Sequence, residues 1–234
     1  MFDIVFISYN EPNAEQNLAK LRERFPLVKH VSGVKGIHQA HITAAKRCFT
    51  KMFWVVDGDA EVLDTFNFDY QVPEWDLDAV HVWRSINPIN GLEYGYGGVK
   101  LLPKKLTIDM DLGKADMTTS ISHKFKPLDE ISNITAFNTD PFSAWRSAFR
   151  ECVKLASSVI DRQDSNETAQ RLDVWCSQGA DKPYGEFAIS GALAGRAYGQ
   201  ENAGNIPALS LINDFNWLKN LFEQTHQPLE IHQK

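Results

Sequence analysis

Cysteine is scarce in this chain and occurs in no arrangement that binds metal or staples a fold. The 234 residues contain three cysteines, Cys48, Cys152 and Cys176, which lie far apart in the sequence. No CxxC pair and no group of cysteine with histidine is present, which argues against a zinc site and against a secreted disulfide framework. A chain of this length buries enough surface to fold without such staples. We therefore interpret the three cysteines as reduced thiols of the core.

Long apolar runs are also missing. No stretch approaches the roughly 20 residues that a membrane-spanning helix needs. The start, Met1 to Ile7, is too short and too soon polar for a signal peptide. Basic residues are outnumbered, 24 against 30 acidic ones, for a net charge of −6. That balance argues against a broadly basic, nucleic-acid-coating surface but leaves room for a local basic groove. These absences predict a cytoplasmic protein with no membrane partner.

What the chain does have is a regular alternation of strand and helix patterns in its first part. The hydrophobic periodicity predicts three strands, at Asp3–Ser8, Val28–Val31 and Met52–Val56, separated by helices at Asn13–Phe25 and Ile37–Thr50. The third strand is apolar throughout, as a strand buried on both faces would be. Alternation of this kind is typical of right-handed βαβ units. It predicts an α/β fold with a Rossmann-type, mostly parallel sheet flanked by helices.

The pattern changes further along the chain. Ala79–Trp83, Val99–Leu102 and Ile134–Phe137 read as strands, whereas residues 107–129 lack clear periodicity and predict a long connection. From Pro141 onward the pattern is helical, which predicts a helical C-terminal third. With no repeat or linker to divide it, the chain is predicted to be one domain over residues 1–234, with a first half at 1–103 and a second at 104–234.

The strongest chemical signal is a pair of carboxylates, Asp57 and Asp59, directly after the buried strand. The carboxyl end of a strand is where open α/β sheets bind ligands. Two carboxylates this close repel unless a cation lies between them, and hard oxygen ligands suit Mg²⁺ or Mn²⁺. Gly58 between them lets the backbone approach a ligand closely. An ordinary Asp-Gly turn is the alternative, but the preceding strand favours a metal site.

These segments resemble the GT-A glycosyltransferases. Ile4–Asn10 is similar to their opening strand and uridine-contacting loop, Gly33–His41 to their second nucleotide-facing segment, and Trp54–Asp59 to their DxD metal motif. The whole chain more closely resembles phage-encoded enzymes that glycosylate hydroxymethylpyrimidines in DNA, of the TET-associated and arabinosyltransferase type. Trp83–Pro88 and Tyr96–Lys100 carry that likeness. The resemblance implies a GT-A-like fold, a UDP-sugar co-substrate, Mn²⁺ or Mg²⁺ as cofactor, and a location in the host cytoplasm if the protein is phage-encoded.

The resemblance also implies which residues bind the two substrates. The first half would hold the nucleotide-sugar donor, and the second half would form the acceptor side. Each role has a structural alternative: packing, a turn, a solvated charge or a glycine bend. The residues expected to bind the donor are Ser8, Tyr9, Asn10, Glu11, Lys35, His38, Asp57, Gly58, Asp59, Gly97 and Gly98, and those expected to bind the acceptor are Trp83, Arg84 and Lys100.

Sugar transfer with inversion needs a carboxylate that takes the proton of the acceptor hydroxyl. Enzymes that the chain resembles place this group at the start of a helix facing the acceptor. Asp140 fits as the residue before Pro141, although capping of the helix alone explains both residues. Glu186 is the second candidate.

We therefore predict a metal-dependent glycosyltransferase that moves a sugar from a UDP-sugar to a hydroxyl, with a 5-hydroxymethylpyrimidine base of phage DNA as the acceptor. A glycan or small-molecule acceptor, nucleotidyl transfer onto a sugar phosphate, and a non-catalytic nucleotide-sugar or DNA-binding module are the alternatives. Nucleotidyl transferases usually carry a glycine-rich basic loop after the first strand, which residues 9–12 lack. The intact carboxylate pair disfavours a non-catalytic module. The sequence leaves the sugar and the oligomeric state open.

Overall fold

The computed structural model describes residues 1–94, 97–113, 117–158 and 164–226. The chain divides into two compact units, Met1–Ala136 and Phe137–Lys234. The prediction of one domain with an internal division after residue 103 stays a prediction. The compact units divide after Ala136.

The first unit is an α/β structure built on one mixed sheet. Its strands are β1 (Asp3–Ser8), β2 (Lys29–Ser32), β3 (Met52–Asp57), β4 (Ala60–Val62), β5 (Val80–Ile86), β6 (Glu93–Tyr94), β7 (Val99–Pro103) and β8 (Phe125–Thr135). Its helices are α1 (Ala14–Arg24), α2 (Ile37–Lys46), α3 (Lys104–Ile108) and α4 (Met117–Ile121), with a 3-10 turn at Glu74–Asp76.

The first three strands form the predicted βαβαβ unit. They pair in parallel in the order β2-β1-β3, with Val5 opposite both Lys29 and Val55. Successive side chains of a strand point to opposite faces, and both faces are apolar here. Phe6 and Trp54 pack with Leu18 of α1 on one face. On the other face, Val5 and Val55 pack with Ala44 and Ala45 of α2. The two helices therefore cover opposite faces of the sheet.

The remainder of the sheet corrects the expectation of mostly parallel pairing. Its order is β2-β1-β3-β7-β5-β8-β4, with β6 beside β5. The pairs β3–β7, β5–β7, β5–β6 and β4–β8 are antiparallel. Among the described strands, the parallel pairs are β1–β2, β1–β3 and β5–β8. Strands β7 and β4 are thus antiparallel to their neighbours. Neither is reached through the crossover helix that parallel pairing of consecutive strands requires.

The segment predicted as a long connection, residues 107–129, is largely regular. It contains the end of α3, the whole of α4 and the start of β8, and its residues 114–116 lie outside the described ranges. Sequence periodicity missed these elements because the two helices have five residues each, too short to show a helical repeat. The strand expected at Ile134–Phe137 is instead the far end of β8, which begins at Phe125.

The second unit is helical, as predicted for the C-terminal third. Its helices are α5 (Pro141–Ser157), α6 (Ser165–Ser177), α7 (Gly185–Glu201), α8 (Ile206–Ser210) and α9 (Phe215–Thr225), with a 3-10 turn at Leu211–Asn213. No helix among the described residues is both long and apolar enough to cross a membrane.

A row of glycines on α7 lets its backbone lie against that of α5. Gly191, Gly195 and Gly199 recur every four residues and so share one helix face. A Cβ built at Gly195 would lie 2.3 Å from the carbonyl oxygen of Phe149, and one at Gly191 would lie 2.2 Å from that of Trp145. These contacts exclude any side chain, so the close packing of α5 on α7 requires glycine.

Replacing Gly195 with alanine is expected to lower the free energy of unfolding of the protein by about 1–3 kcal/mol, the usual cost of overpacking. Alanine is the better helix former by ~1 kcal/mol, so the loss reports steric conflict with α5. Chemical denaturation followed by circular dichroism measures it. The matched control is Ala197→Gly, because residue 197 is exposed on the same helix. There glycine is expected to destabilise by ~1 kcal/mol. Alanine raising stability at position 195 would contradict the packing argument.

Candidate functional site

The candidate site lies where β1 and β3 end side by side. The chain leaves β1, forms β2 on one side of it, and then crosses to β3 on the other side, with α1 and α2 on opposite faces. Such a reversal opens a crevice at the carboxyl ends of the strands, where α/β sheets bind ligands. Ile7 pairs with Asp57 at this edge, so the loop after Ser8 and the turn after Asp57 face each other across it.

Asp57 is ion-paired with a lysine from the neighbouring antiparallel strand. The Nζ of Lys100 lies 2.7 Å from Oδ2 of Asp57, and it also donates to the carbonyl oxygen of Gly97. The Lys100 side chain is 4% exposed, whereas that of Asp57 is 35% exposed. Lys100 was expected on an acceptor-binding rim. The structure corrects this, because residues 55 and 100 pair across β3 and β7 and direct the lysine inward.

The turn at Gly58 is held tightly by the elements around it. Asn17 of α1 donates a hydrogen bond to the carbonyl oxygen of Gly58, at 3.0 Å. Glu11 folds over the same residue, since its Oε2 accepts from the backbone N–H of Tyr9 at 2.7 Å. A Cβ at position 58 would lie 2.6 Å from that Oε2. A side chain at position 58 would therefore displace the carboxylate of Glu11 from the turn.

The charges at this turn are unevenly balanced. Burial, and then the negative charges of Asp57 and Glu11, together raise the pKa of Asp59 to about 7 against the opposing charge of Lys100. Burial also raises the pKa of Asp57, against the charge and hydrogen bond of Lys100, and the solvent that reaches this side chain limits the effect. One lysine therefore faces three carboxyl groups, and the site is short of positive charge.

A buried histidine adds an uncharged acceptor near Lys100. His41 of α2 is 2% exposed, and its Nδ1 donates to the carbonyl oxygen of Ile37 at 2.8 Å. Burial, and then the charge of Lys100, lower the pKa of His41 to about 3, so the ring is neutral. Since Nδ1 carries the proton, Nε2 holds a lone pair. That atom is buried without a hydrogen-bond partner among the described residues.

The remaining donor-binding candidates differ in their exposure and contacts. Tyr9 is 47% exposed, and Asn10 beside it is exposed too. Lys35 is exposed in the loop before α2, and the Nε2 of His38 lies 3.2 Å from the Oγ of Ser120. Their roles in binding the donor stay predictions.

The glycine bend before β7 serves the sheet itself. The carbonyl oxygen of Gly98 accepts from the N–H of Asp57 at 2.9 Å, which extends the β3–β7 ladder. A Cβ at Gly98 would meet the buried amide of Asn133 at 2.4 Å. Around Gly97 there is open space. Of the two glycines expected to approach the donor, only Gly97 therefore has room beside it.

The two other residues expected to bind an acceptor are placed elsewhere. Trp83 is fully buried, with its ring 4.6 Å from that of Trp54, so no face of it is available to an acceptor. Packing in the core was the structural alternative for Trp83 in the sequence analysis. Arg84 is ion-paired with Asp129 at 2.7 Å.

Four further lysines, those just after β7 and those at the start of β8, were candidates for the local basic groove that the net charge leaves open, and they are paired as well. Lys105 lies 2.8 Å from Asp109, Lys124 lies 2.8 Å from Asp78, and Lys126 lies 3.3 Å from Asp76. Lys104 donates to a backbone carbonyl. Neighbouring carboxylates offset the charge of these side chains, so they do not form an unopposed basic patch.

Both candidate catalytic carboxylates belong to the second unit. Asp140 caps α5: its carboxylate accepts from the backbone N–H of Ser143 at 2.8 Å and from the Oγ of Ser143 at 2.6 Å. These hydrogen bonds, with one from Thr139, hold the pKa of Asp140 below its usual value against the effect of burial. A carboxylate stabilised in this way is a weak base. Glu186 is exposed in the first turn of α7. Its catalytic role stays a prediction.

Comparisons with known proteins give no family. No family model matches the chain, and no curated protein matches it. Among solved structures, HddC from Yersinia pseudotuberculosis is 17% identical with a TM-score of 0.36, and spans 55% of this chain and 90% of its own. The same protein complexed with GMP-PN is 15% identical, with a TM-score of 0.40 over 56% and 91%. 4-Diphosphocytidyl-2C-methyl-D-erythritol synthase from Anaerococcus prevotii DSM 20548 is 10% identical, with a TM-score of 0.37 over 57% and 88%.

The prediction of a metal-dependent glycosyltransferase is wrong. The solved structures that the chain resembles are a protein complexed with GMP-PN and a synthase of a diphosphocytidyl compound, and none of these three is named as a glycosyltransferase. The second unit departs from the expectation too, since Asp140 is engaged as a helix cap. Within the described ranges, no group of three or more His, Cys, Asp or Glu side chains could hold a metal ion.

The two aspartates of the turn are expected to respond oppositely to the same substitution. Because the pKa of Asp59 is raised in the folded state, its contribution to stability is full below the unfolded value near 3.8 and is lost as pH rises through about 7. Asp59→Asn should therefore raise the free energy of unfolding at pH 8 by about 1–2 kcal/mol after allowance for solvent screening, and leave it nearly unchanged at pH 4.

Asp57→Asn should instead lower the free energy of unfolding by about 1–3 kcal/mol at pH 8, because Asp57 is 35% exposed and loses little by being charged, whereas the substitution leaves the buried ammonium of Lys100 without its counter-charge. Urea denaturation of the wild-type protein and both variants at pH 4 and pH 8 measures these changes. Equal effects of the two substitutions at pH 8 would contradict the described charge distribution.

Proposed function

We propose that the first unit binds a nucleoside triphosphate at the carboxyl ends of β1 and β3 and transfers its nucleotidyl group to a phosphorylated acceptor. The observation that carries this proposal is the juxtaposition of Asp57, Asp59 and Lys100 at the reversal of strand order. Two carboxylates and one buried ammonium at such a crevice match the charges of a triphosphate with its counter-ion.

The carboxylate pair fits a divalent cation of the Mg²⁺ or Mn²⁺ class. Mg²⁺ is usually held by one or two protein carboxylates together with phosphate oxygens and water, so two aspartates suffice when the nucleotide supplies the rest. The surroundings of Asp59 support this fit, because burial and then the charges of Asp57 and Glu11 raise its pKa, and Lys100 offsets those charges only in part. When bound, such an ion would offset the charge of the triphosphate and polarise the reacting phosphate.

Lys100 would supply the fixed positive charge at the reacting phosphate. Its ammonium is buried and held in place by Asp57 and the Gly97 carbonyl, so little reorganisation is needed during the reaction. The basic loop that nucleotidyl transferases usually carry after the first strand is missing here. A lysine reaching in from β7, with Lys35 in the loop before α2, provides the same charge from other elements.

The reaction that best suits this site needs no general base on the acceptor. A phosphate oxygen is already anionic when it attacks the α-phosphorus, and pyrophosphate leaves with the bonding electrons. A sugar hydroxyl would require a carboxylate free to take its proton, whereas Asp57 is tied to Lys100 and Asp59 is assigned to the cation. At the nucleoside end, the exposed ring of Tyr9 offers a surface on which a base stacks, and the exposed Asn10 offers a polar contact. Ser8 is instead buried, with its Oγ 2.8 Å from the Nε2 of His30.

The decisive variant is Lys100→Met, which keeps the length of the buried side chain and removes its charge. The fold should survive, because Asp57 is partly exposed and remains solvated. Binding of nucleoside triphosphate with Mg²⁺ should weaken about tenfold or more, since a charge-assisted hydrogen bond contributes ~1.5–3 kcal/mol. Isothermal titration calorimetry measures the affinity. The matched control is Lys105→Met, which removes an exposed lysine paired only with Asp109 and should leave the affinity unchanged.

The four nucleoside triphosphates should also be incubated with a panel of sugar phosphates, and pyrophosphate release followed. Release that depends on an acceptor and is lost in Lys100→Met and Asp59→Asn would support nucleotidyl transfer. Nucleotide binding without pyrophosphate release would leave a binding module and remove the proposed reaction. Unchanged affinity in Lys100→Met would remove the proposed site as well.

A further inference from the structure

Most strands of the first unit begin at the same edge of the sheet. β1, β2 and β3 are parallel, β7 is antiparallel to both β3 and β5, and β8 is parallel to β5. The strands β1, β2, β3, β5 and β8 therefore start at the edge opposite the carboxyl ends that form the candidate site. We call it the amino edge, and it comprises residues 1–3, 26–29, 46–52, 74–80 and 124–126.

The amino edge carries the most exposed apolar side chains of the first unit. Leu27 before β2 is 92% exposed, Phe49 before β3 is 90% exposed, and Trp75 before β5 is 75% exposed. Phe125, the first residue of β8, is exposed too. From β2 to β8 the sheet order spans five strand intervals, or about 24 Å. Single exposed apolar residues are common, but a row of them along one edge marks an interaction surface.

The turn that carries Phe49 is fixed to its neighbours through its backbone. Oδ2 of Asp3 accepts from the N–H of Phe49 at 2.6 Å and from that of Thr50 at 2.9 Å. Lys29 is ion-paired with Oδ1 of Asp3, and its Nζ lies 4.5 Å from the centre of the Phe49 ring. The ring is thus held at the surface by a firm turn without entering the core, so packing of the fold does not explain it.

The same edge has positive charge that no carboxylate neutralises. Lys46, Arg47 and Lys51 are exposed, and none of them is ion-paired within the part of the chain that the structure describes. The lysines after β7 and at the start of β8, described above, add little net charge. Since the whole protein has a net charge of −6, this group of cations is a local feature of the amino edge.

We propose that the amino edge binds the surface of a phospholipid membrane that carries anionic headgroups. Tryptophan, phenylalanine and leucine favour the boundary between headgroups and acyl chains, and lysine and arginine are attracted to the headgroup phosphates. A single-stranded nucleic acid would stack its bases on aromatic rings, which gives Leu27 no role. The observed combination of aromatic, aliphatic and basic side chains therefore favours a lipid surface.

The sequence was interpreted as having no membrane partner because it lacks a long apolar run. A surface of this kind takes single residues from separate segments, so it becomes visible only once the strands are paired. β1 and β3 have six residues each, which separates the amino edge from the candidate site by about 20 Å. A protein bound at this edge would keep the crevice clear of the headgroups. The inference does not depend on which ligand occupies the crevice.

The first test is co-sedimentation of the full chain with vesicles of phosphatidylcholine alone and with vesicles of equal parts phosphatidylcholine and phosphatidylserine. We expect binding to the mixed vesicles that weakens as salt is added. Phe49→Ser should weaken this binding about tenfold, since it removes an aromatic side chain that the membrane would bury. The matched control is Ile206→Ser, which removes an apolar side chain that is 63% exposed on α8 of the second unit. It should leave binding unchanged.

The charge is tested by replacing Lys46 and Lys51 together with glutamine. Each basic side chain beside an anionic surface contributes about fivefold to the affinity, so the double variant should bind about twentyfold more weakly. Replacing Lys20 and Lys219 with glutamine changes the net charge equally, because both are exposed lysines of α1 and α9. That control should bind within about twofold of wild type, by the same arithmetic.

The wild-type chain supplies a measurement that needs no destabilising variant. Trp75 is exposed, whereas the five other tryptophans are buried or half-buried. Phospholipids with brominated acyl chains should quench part of the tryptophan fluorescence when mixed vesicles are added. Trp75→Phe should remove this quenching and keep most of the binding, because the ring remains aromatic. Quenching that persists in Trp75→Phe would place the contact elsewhere and overturn the proposal.

Two further outcomes would also overturn it. Failure to bind the mixed vesicles removes the lipid surface outright. Binding to soluble polyglutamate that the Lys46 and Lys51 double variant loses, without binding to vesicles, would assign the amino edge to an acidic protein partner instead. Analytical ultracentrifugation without lipid covers the remaining occupant, since a dimer that Phe49→Ser dissociates would make this edge an interface between two copies of the chain.

Discussion

The burial of β3 on both faces is the constraint on which the first unit depends. Residues 52–56 are fully buried, with Trp54 packed under α1 and Val55 under α2. A strand of this kind has no polar position along its length, so the first carboxylate comes where the strand ends and solvent begins. The two hydrogen-bonding edges of β3 pair with β1 and β7, which fixes what stands opposite Asp57. The position of the charged site therefore follows from the packing of an apolar strand.

The antiparallel strand β7 determines the electrostatics of that site. Because residue 100 pairs with residue 55, its side chain points to the same face as Asp57, two residues further along β3. An apolar residue at position 100 would leave Asp57 without a positively charged partner. The lysine offsets Asp57 but only partly offsets Asp59, whose carboxyl also feels Glu11. Two aspartates one residue apart thus have different environments. Pairs of titratable groups separated in this way are typical of functional sites.

The sequence predicts the local elements well and their long-range pairing poorly. The strand Asp3–Ser8 was predicted with its observed limits, and α1 and α2 were placed to within a few residues, since each shows its own periodicity. The direction of β7 carries no local signal, so the sheet was expected to be mostly parallel and Lys100 was assigned to a rim. The wrong expectation for Trp83 has a similar cause. The sequence does not distinguish an aromatic residue on the core face of a strand from one that lines a ligand site. The candidate turn was found from residues alone, but its partner lysine was not.

Close helix packing also orders the second unit. The glycine row of α7 brings its backbone against that of α5, with Gly195 in contact with Phe149. Arg196 follows Gly195 by one residue, about 100° further round the helix, and its Nη1 lies 3.1 Å from Oδ1 of Asp173 on α6. The contact that excludes a side chain at position 195 therefore also sets where the guanidinium of α7 meets α6, so one glycine fixes the packing of α7 on both neighbouring helices.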